Sequence, residues 1–269
     1  MCDRSKIVAA LSGTDYELRW RIIRGIGSFT VPLFKIVSKG IELAGTGTLF
    51  ATRGSHYILT ARHVWEEKLK SADKIGIGIE EDIANRFSVD RSVLVPCGPA
   101  RPSAWDEWGP DMTFLRIPDG LVGSINARRV FYNPTVDGVA IPADPVELWL
   151  LIGTPEDLGT FTSAKSEAQV YGRFVDPRDI AYNTRDQLDY LDVKIDTSSA
   201  DTPRDFGGMS GGGLWRVEVY CSCSTGKIDW ARSLEGVAFW EFPIENNIRV
   251  VRCHGPQSIA SAISAIGDQ

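Results

Sequence analysis

Short apolar-rich runs separated by polar turns fill most of the chain, and they fall into two blocks that read as strands. The first block covers residues 31–37, 47–52, 57–61, 74–80, 86–95 and 113–117. The second covers 146–152, 166–174, 190–195, 213–220, 235–242 and 248–252. Residues 120–145, with Pro134, Gly138, Pro142 and Pro145, connect the two blocks. Helical stretches frame them. Residues 5–11 and 15–24 lie before the first strand, with Thr14 as an N-cap, and 257–266 place Ile259, Ile263 and Ile266 on one helical face after the last.

Length and composition narrow this picture. At 269 residues the chain suits one large domain or two small ones sharing a cleft, and 26 glycines and 14 prolines suit many short strands joined by turns. A formal charge of −6 argues against a nucleic-acid partner bound through a broad basic surface, and a short basic pair such as Arg128-Arg129 reads as a solvated face. The apolar run 7–11 is broken by Ser12-Gly13-Thr14-Asp15. It is too short for a signal-peptide core, and no segment approaches membrane-spanning length, so no membrane partner is expected. The cysteines number five, an odd count. Cys221 and Cys223, one residue apart on an alternating strand, are badly placed to bridge each other. The set reads as free thiols in a reducing compartment, hence a cytoplasmic protein. No pair of Cys/His pairs has ligand spacing, so neither a metal nor a cofactor is expected.

Candidate chemistry starts at Gly208-Met209-Ser210-Gly211-Gly212. Gly208 has access to backbone shapes closed to other residues, and such a turn aims the N–H groups of Gly208 and Ser210 at one point, as an oxyanion hole requires. A base for Ser210 comes from three histidines. His56 lies in a loop and His254 beside Gly255-Pro256, whereas His63 ends an apolar strand in Thr60-Ala61-Arg62-His63, behind the strand Gly45-Thr46-Gly47-Thr48-Leu49-Phe50. A carboxylate follows at Asp111, which opens the apolar run Asp111-Met112-Thr113-Phe114-Leu115. A charge there tends to be buried and needs a partner.

In this order, His63, Asp111 and Ser210 with their flanking motifs resemble the trypsin/chymotrypsin-like serine proteases, over about residues 41–242. The resemblance implies an all-β fold of two six-stranded antiparallel barrels. The units would be an N-terminal helical extension (1–28), a first barrel with His63 and Asp111 (29–130), a second barrel with Ser210 (131–254) and a C-terminal helix (255–269). It implies a serine endopeptidase with protein or peptide substrates, the active site lying between the barrels. No PDZ-like domain follows, which points to a stand-alone, intracellular, bacterial-type peptidase with regulatory or defence-associated substrates and a separately encoded regulatory partner. A catalytically inert barrel pair used for protein binding is the alternative, and an esterase a third reading.

Several positions depart from the family. Met209 replaces an aspartate that pairs with a newly cut N-terminus in secreted members, so activation by a propeptide cut is not expected and the hole must be set in another way. Phe239 replaces a serine that bonds the triad aspartate, so Asp111 needs a different donor. The family's substrate-binding segments correspond to Arg204, Asp205 and Phe206 before the serine and to Phe239, Trp240 and Glu241. Arg204 turned inward would favour acidic side chains, and Asp205 turned inward basic ones. Glu241 would pair with Arg204, attract a basic residue, or block deep entry.

Overall fold

In the computed structural model, which describes residues 4–12, 17–38, 40–79, 87–98, 106–137, 144–161, 166–222 and 225–266, the strand blocks form two antiparallel seven-stranded sheets. One of them curls into a half-barrel. The first sheet runs β5 (Phe87–Asp90), β4 (Lys74–Ile77), β1 (Thr30–Val37), β2 (Gly40–Thr52), β3 (Ser55–Thr60), β7 (Thr113–Ile117), β6 (Val95–Cys97). The second runs β11 (Tyr171–Val175), β8 (Val146–Gly153), β14 (Gly213–Cys221), β15 (Ile228–Glu241), β16 (Ile248–His254), β13 (Leu188–Asp196), β12 (Ile180–Arg185). A separate ribbon pairs β9 (Thr160–Phe161) with β10 (Ser166–Glu167). The architecture is compatible with two barrel-like units, although among the described residues no ladder joins the edge strands of either sheet.

Local chemistry explains where the strands depart from the expected six and six. The run expected at 86–95 breaks at Asp90, whose Oδ1 accepts from Ser92 N at 2.9 Å and from Ser92 Oγ at 2.6 Å. That turn winds Arg91–Val93 into a 3-10 turn, and the chain re-enters the sheet as β6 at the opposite edge. The run at 166–174 divides into β10 and β11. Strand β12 escaped the pattern because it is an edge strand with polar, exposed residues. It is joined to β13 through Asp186 and Gln187, at φ 52° and 67°. A two-residue turn with both φ positive matches the twist of the strands it joins. Within the expected connection, Asp119–Asn126 forms helix α3, anchored by buried Ile125. Thr14, Glu80, Arg86 and residues 138–143 lie outside the described residues.

The N-terminal helices are part of the core. Helices α1 (Arg4–Ser12) and α2 (Glu17–Gly27) bury Ile7, Leu11, Leu18, Ile22 and Ile26 in one cluster with Leu150, Ile152, Trp215 and Val217 of the second sheet. Phe50, Leu59 and Phe114 of the first sheet join that cluster, so it also welds the sheets together. At its centre Phe29 stacks on Trp215 with ring centroids 5.4 Å apart, and Tyr132 meets Trp215 edge-on at 4.9 Å. Such aromatic pairs add about 0.5–1.5 kcal/mol each beyond the area they bury. Helix α4 (Pro256–Ile266) packs Ile259 and Ala262 on the same cluster, with Ile263 and Ile266 half-buried beside them.

Contrary to expectation, not every cysteine is a free thiol. Cys97 and Cys253 are free, but Cys221 is disulfide-bonded. Strand β14 ends at Cys221, and Cys2 and Cys223 lie outside the described residues. There Ser222 N donates to Lys227 O and Gly226 N to Ser222 O, which turns the chain. The inference of a reducing compartment loses that support. No helix among the described residues is long and apolar enough to cross a membrane.

Candidate active site

His63 stands where the first sheet hands the chain to a helical turn. Strand β3 stops at Thr60, and Val64–Leu69 form a π-helical turn with His63 as its cap. Val64, Trp65 and Leu69 are buried in a cluster made mostly of first-sheet residues and pull the turn inward, which leaves His63 on the rim. Asp111 follows the Gly109–Pro110 peptide bond, which is cis, and immediately precedes Met112 and β7. Its carboxylate grips His63 twice. Oδ1 accepts from the backbone N–H at 2.8 Å, and Oδ2 lies 2.6 Å from Nδ1. Two attachments fix both the position and the rotation of the imidazole, and with Nδ1–H donating to Asp111 the other ring nitrogen, Nε2, carries the lone pair. The Asp111 side chain is 0% exposed and that of His63 13%. Burial alone would raise the Asp111 carboxyl. The His63 hydrogen bonds and charge overcome it and hold the group below the usual carboxylate range.

The second sheet holds Asp111 from behind. Asp111 N–H donates to Nε2 of His254 at 2.9 Å. His254 is buried, stacked on Phe239 with ring centroids 4.1 Å apart and planes 15° from parallel. Burial pushes its pKa down to about 4 against the opposing pull of Asp111 and Asp189, so the ring is neutral, with Nε2 as acceptor and the proton on Nδ1. The loop before Asp111 is clamped as well. Tyr190 OH donates to Trp108 O, and Arg252 lies 3.9 Å from the centroid of the Trp108 ring. Arg252 also donates to Glu107 O at 3.1 Å and pairs through two bonds of 2.6 and 2.8 Å with Asp192. Phe239 thus serves Asp111 indirectly. In place of a hydroxyl it supplies the apolar stack that seats His254.

Ser210 sits in a loop of the second sheet that buried Thr46 and Thr48 tie directly to the first, with Thr60 and Thr154 bonded to Thr46. Thr46 N donates to Ser210 O at 2.8 Å, and Thr46 Oγ1 donates to Gly208 O at 2.7 Å. The same oxygen accepts from Thr154 N at 2.9 Å and lies 2.7 Å from Thr154 Oγ1. Thr60 Oγ1 donates to Thr46 O at 2.7 Å, and Thr48 Oγ1 to Gly211 O at 3.2 Å. Gly208 and Gly211 have φ of 89° and 91°. At Gly211 a Cβ would overlap Thr46 O as well, so only glycine passes there. Met209 N and Gly211 N are bonded to Phe206 O and Ala238 O. Among the described residues the N–H groups of Gly208 and Ser210 and the Ser210 hydroxyl make no hydrogen bond. Met209 is buried with Trp149, Leu151 and Leu214, and this anchor occupies the position where a carboxylate was the family expectation.

His63 and Asp111 are thus in direct contact, and Ser210 is brought alongside through Thr46, while its hydroxyl is not bonded to His63. The expected pocket residues divide. Phe206, Phe239, Trp240 and Glu241 line a small cavity that reaches Ser210, while Arg204 and Asp205 are exposed and do not line it. Glu241 pairs with Arg249 at 3.3 Å, not with Arg204. Strand β14 stops pairing with β15 at Val237, whereas β16 continues to Glu241, so the end of β15 forms the sheet's rim beside the Ser210 loop. Among the described residues no group of three or more His, Cys, Asp or Glu side chains is placed to hold a metal.

Sequence reasoning missed His254, Arg249 and the threonine lattice. Thr46 and Thr60 stand within motifs that drew attention for their glycines and histidine. Nothing local in their sequence marks a hydroxyl that bonds across sheets. No protein-family model matches the chain, and no curated protein does either.

Proposed function

We propose that the protein is a serine endopeptidase, with Ser210 as nucleophile, His63 as general base and Asp111 as the group that orients and balances His63. The observation that carries this reading is the two-point grip of Asp111 on His63, next to a serine whose loop is bonded to the same sheet. A buried carboxylate bound to a histidine also occurs as a structural ion pair. Here the imidazole lies on a rim, its second nitrogen is suited to accept a proton, and the adjacent loop leaves two N–H groups without an internal acceptor.

The chemistry follows from those placements. Ser210 Oγ adds to a peptide carbonyl as His63 Nε2 takes its proton, and the carbonyl oxygen gains the negative charge. The N–H groups of Gly208 and Ser210 hold that charge without having to break other bonds first. His63 gives the proton to the leaving amine, the C–N bond breaks, and the acyl group stays on Ser210. Water, losing a proton to His63 Nε2, adds to the acyl carbon; the ester bond to Ser210 Oγ then breaks, His63 returns the proton to Oγ, and the acid leaves. Asp111 stays ionised throughout and favours the imidazolium. The hydrogen bond between Ser210 and His63 forms as substrate fills the site, since such bonds are often long in the empty enzyme.

A fluorophosphonate probe tests the reading. Ser210 becomes labelled in the wild type, and Ser210→Ala and His63→Ala abolish labelling. Asp111→Asn lowers turnover by roughly 10⁴-fold, by analogy with the serine-protease triad. Folded protein that no such probe labels under any condition would mean an inert binding module.

A further inference from the structure

The cavity beside Ser210 measures about 40 Å³ and lies between Phe206, Gly207 and Met209 on one side and residues 238–241 on the other. One water-sized group needs about 10–15 Å³, so the space holds on the order of three non-hydrogen atoms. Glu241 is what makes it small. From one wall its Oε2 accepts from Phe206 N, on the other wall, at 3.3 Å. Arg249 secures it at 3.3 Å and is itself tied to Phe242 O at 2.8 Å and to Arg204 O at 2.7 Å. Glu241 therefore spans the cavity as a strut, its carboxylate already engaged by a guanidinium and an N–H.

The rest of the lining is chiefly apolar, with Phe206, Met209, Phe239 and Val251. A long basic side chain would need space that the strut occupies, and would have to displace Arg249. A polar head entering there would give up water for few partners. The side chain that enters is the one on the residue whose carbonyl the Gly208 and Ser210 N–H groups receive, because the cavity borders that same turn.

We propose that the protein cleaves after small apolar residues, alanine to valine in size, and that Glu241 held by Arg249 sets this limit. The proposal rests on the endopeptidase reading of Ser210. Its test uses fluorogenic peptides that differ only in the residue before the scissile bond (Ala, Val, Phe or Lys), run beside fluorophosphonate labelling of the same preparations. The wild type should show kcat/KM for the Ala and Val peptides at least about 100-fold above those for Phe and Lys. Glu241→Gly should narrow the Ala-to-Phe ratio by about 10-fold or more. Arg249→Gln should narrow it less, since Phe206 N still holds the carboxylate. If Glu241→Gly fails to take the probe, the ratio is read from Glu241→Ala. Labelled wild type that prefers Phe or Lys, or an opened variant with an unchanged ratio, overturns the pocket assignment and leaves the nucleophile standing. A wild type that neither labels nor cleaves overturns both.

Discussion

Ser210 and Asp111 ride on different sheets, and each is secured by the sheet it does not belong to. The Ser210 loop is held by Thr46 and Thr48 of the first sheet, with Thr60 bracing Thr46 from within that sheet. The Asp111 loop is held by His254, Tyr190 and Arg252 of the second. The means differ. One support is a lattice of neutral hydroxyls that cannot titrate in the working range, and the other is built from an imidazole, a phenol and a guanidinium around Trp108. Neither half can present its own group alone, so the geometry of the site depends on how the sheets dock, and acid reaches only one of the two supports.

The largest effect that would break this comparison is steric. Gly211→Ala puts a Cβ onto Thr46 O at a positive φ, and should lower stability by more than about 4 kcal/mol or prevent folding, as read by urea unfolding. Gly54→Ala makes a control. It also has a positive φ but faces open space, so it should cost only about 1 kcal/mol.

Next in size is Thr46→Val, which leaves Gly208 O and Thr154 N without their partner inside a buried seam. A loss of about 2–4 kcal/mol in unfolding free energy is expected, with weaker probe labelling at Ser210. Unchanged stability would show that the hydroxyl lattice is incidental.

His254→Phe removes the acceptor for Asp111 N and should cost about 1–3 kcal/mol at neutral pH. It should also change the pH dependence. Folded His254 has a pKa of about 4, against about 6.5 when unfolded, so unfolding takes up a proton below that upper value. Its contribution is therefore complete above about pH 6.5 and is lost as pH falls toward about 4, amounting to roughly 3 kcal/mol. Stability measured between those values should slope in the wild type and flatten in His254→Phe. Asp111 acts lower: its depressed carboxyl supports folding at neutral pH and fails only as pH drops below the usual carboxylate value.

The smallest effect sharpens the comparison. If the two supports are independent, the costs of Thr46→Val and His254→Phe should add within about 0.5 kcal/mol. A larger coupling would mean that the lattice and the imidazole report one shared docking of the sheets.

The three candidate groups were legible because each stands in a local motif: a histidine ending an apolar strand, an acid opening one, a serine among glycines. The helical framing and most strands were legible for the same reason, since period-2 and period-3.6 patterns are local. The break at Asp90 was hidden because an Asx turn competes with a strand through a single side-chain bond. Strand β12 was hidden because an edge strand needs no apolar face. Tertiary structure alone decided what surrounds the candidate groups. His254 as acceptor for Asp111, Arg249 as partner for Glu241 and Thr46 under Ser210 join residues far apart in the chain, through bonds of a kind that similar side chains make throughout proteins. Residue type and spacing dictate which groups are available for chemistry, whereas partners across a seam depend on the docking of two sheets, which no local pattern encodes.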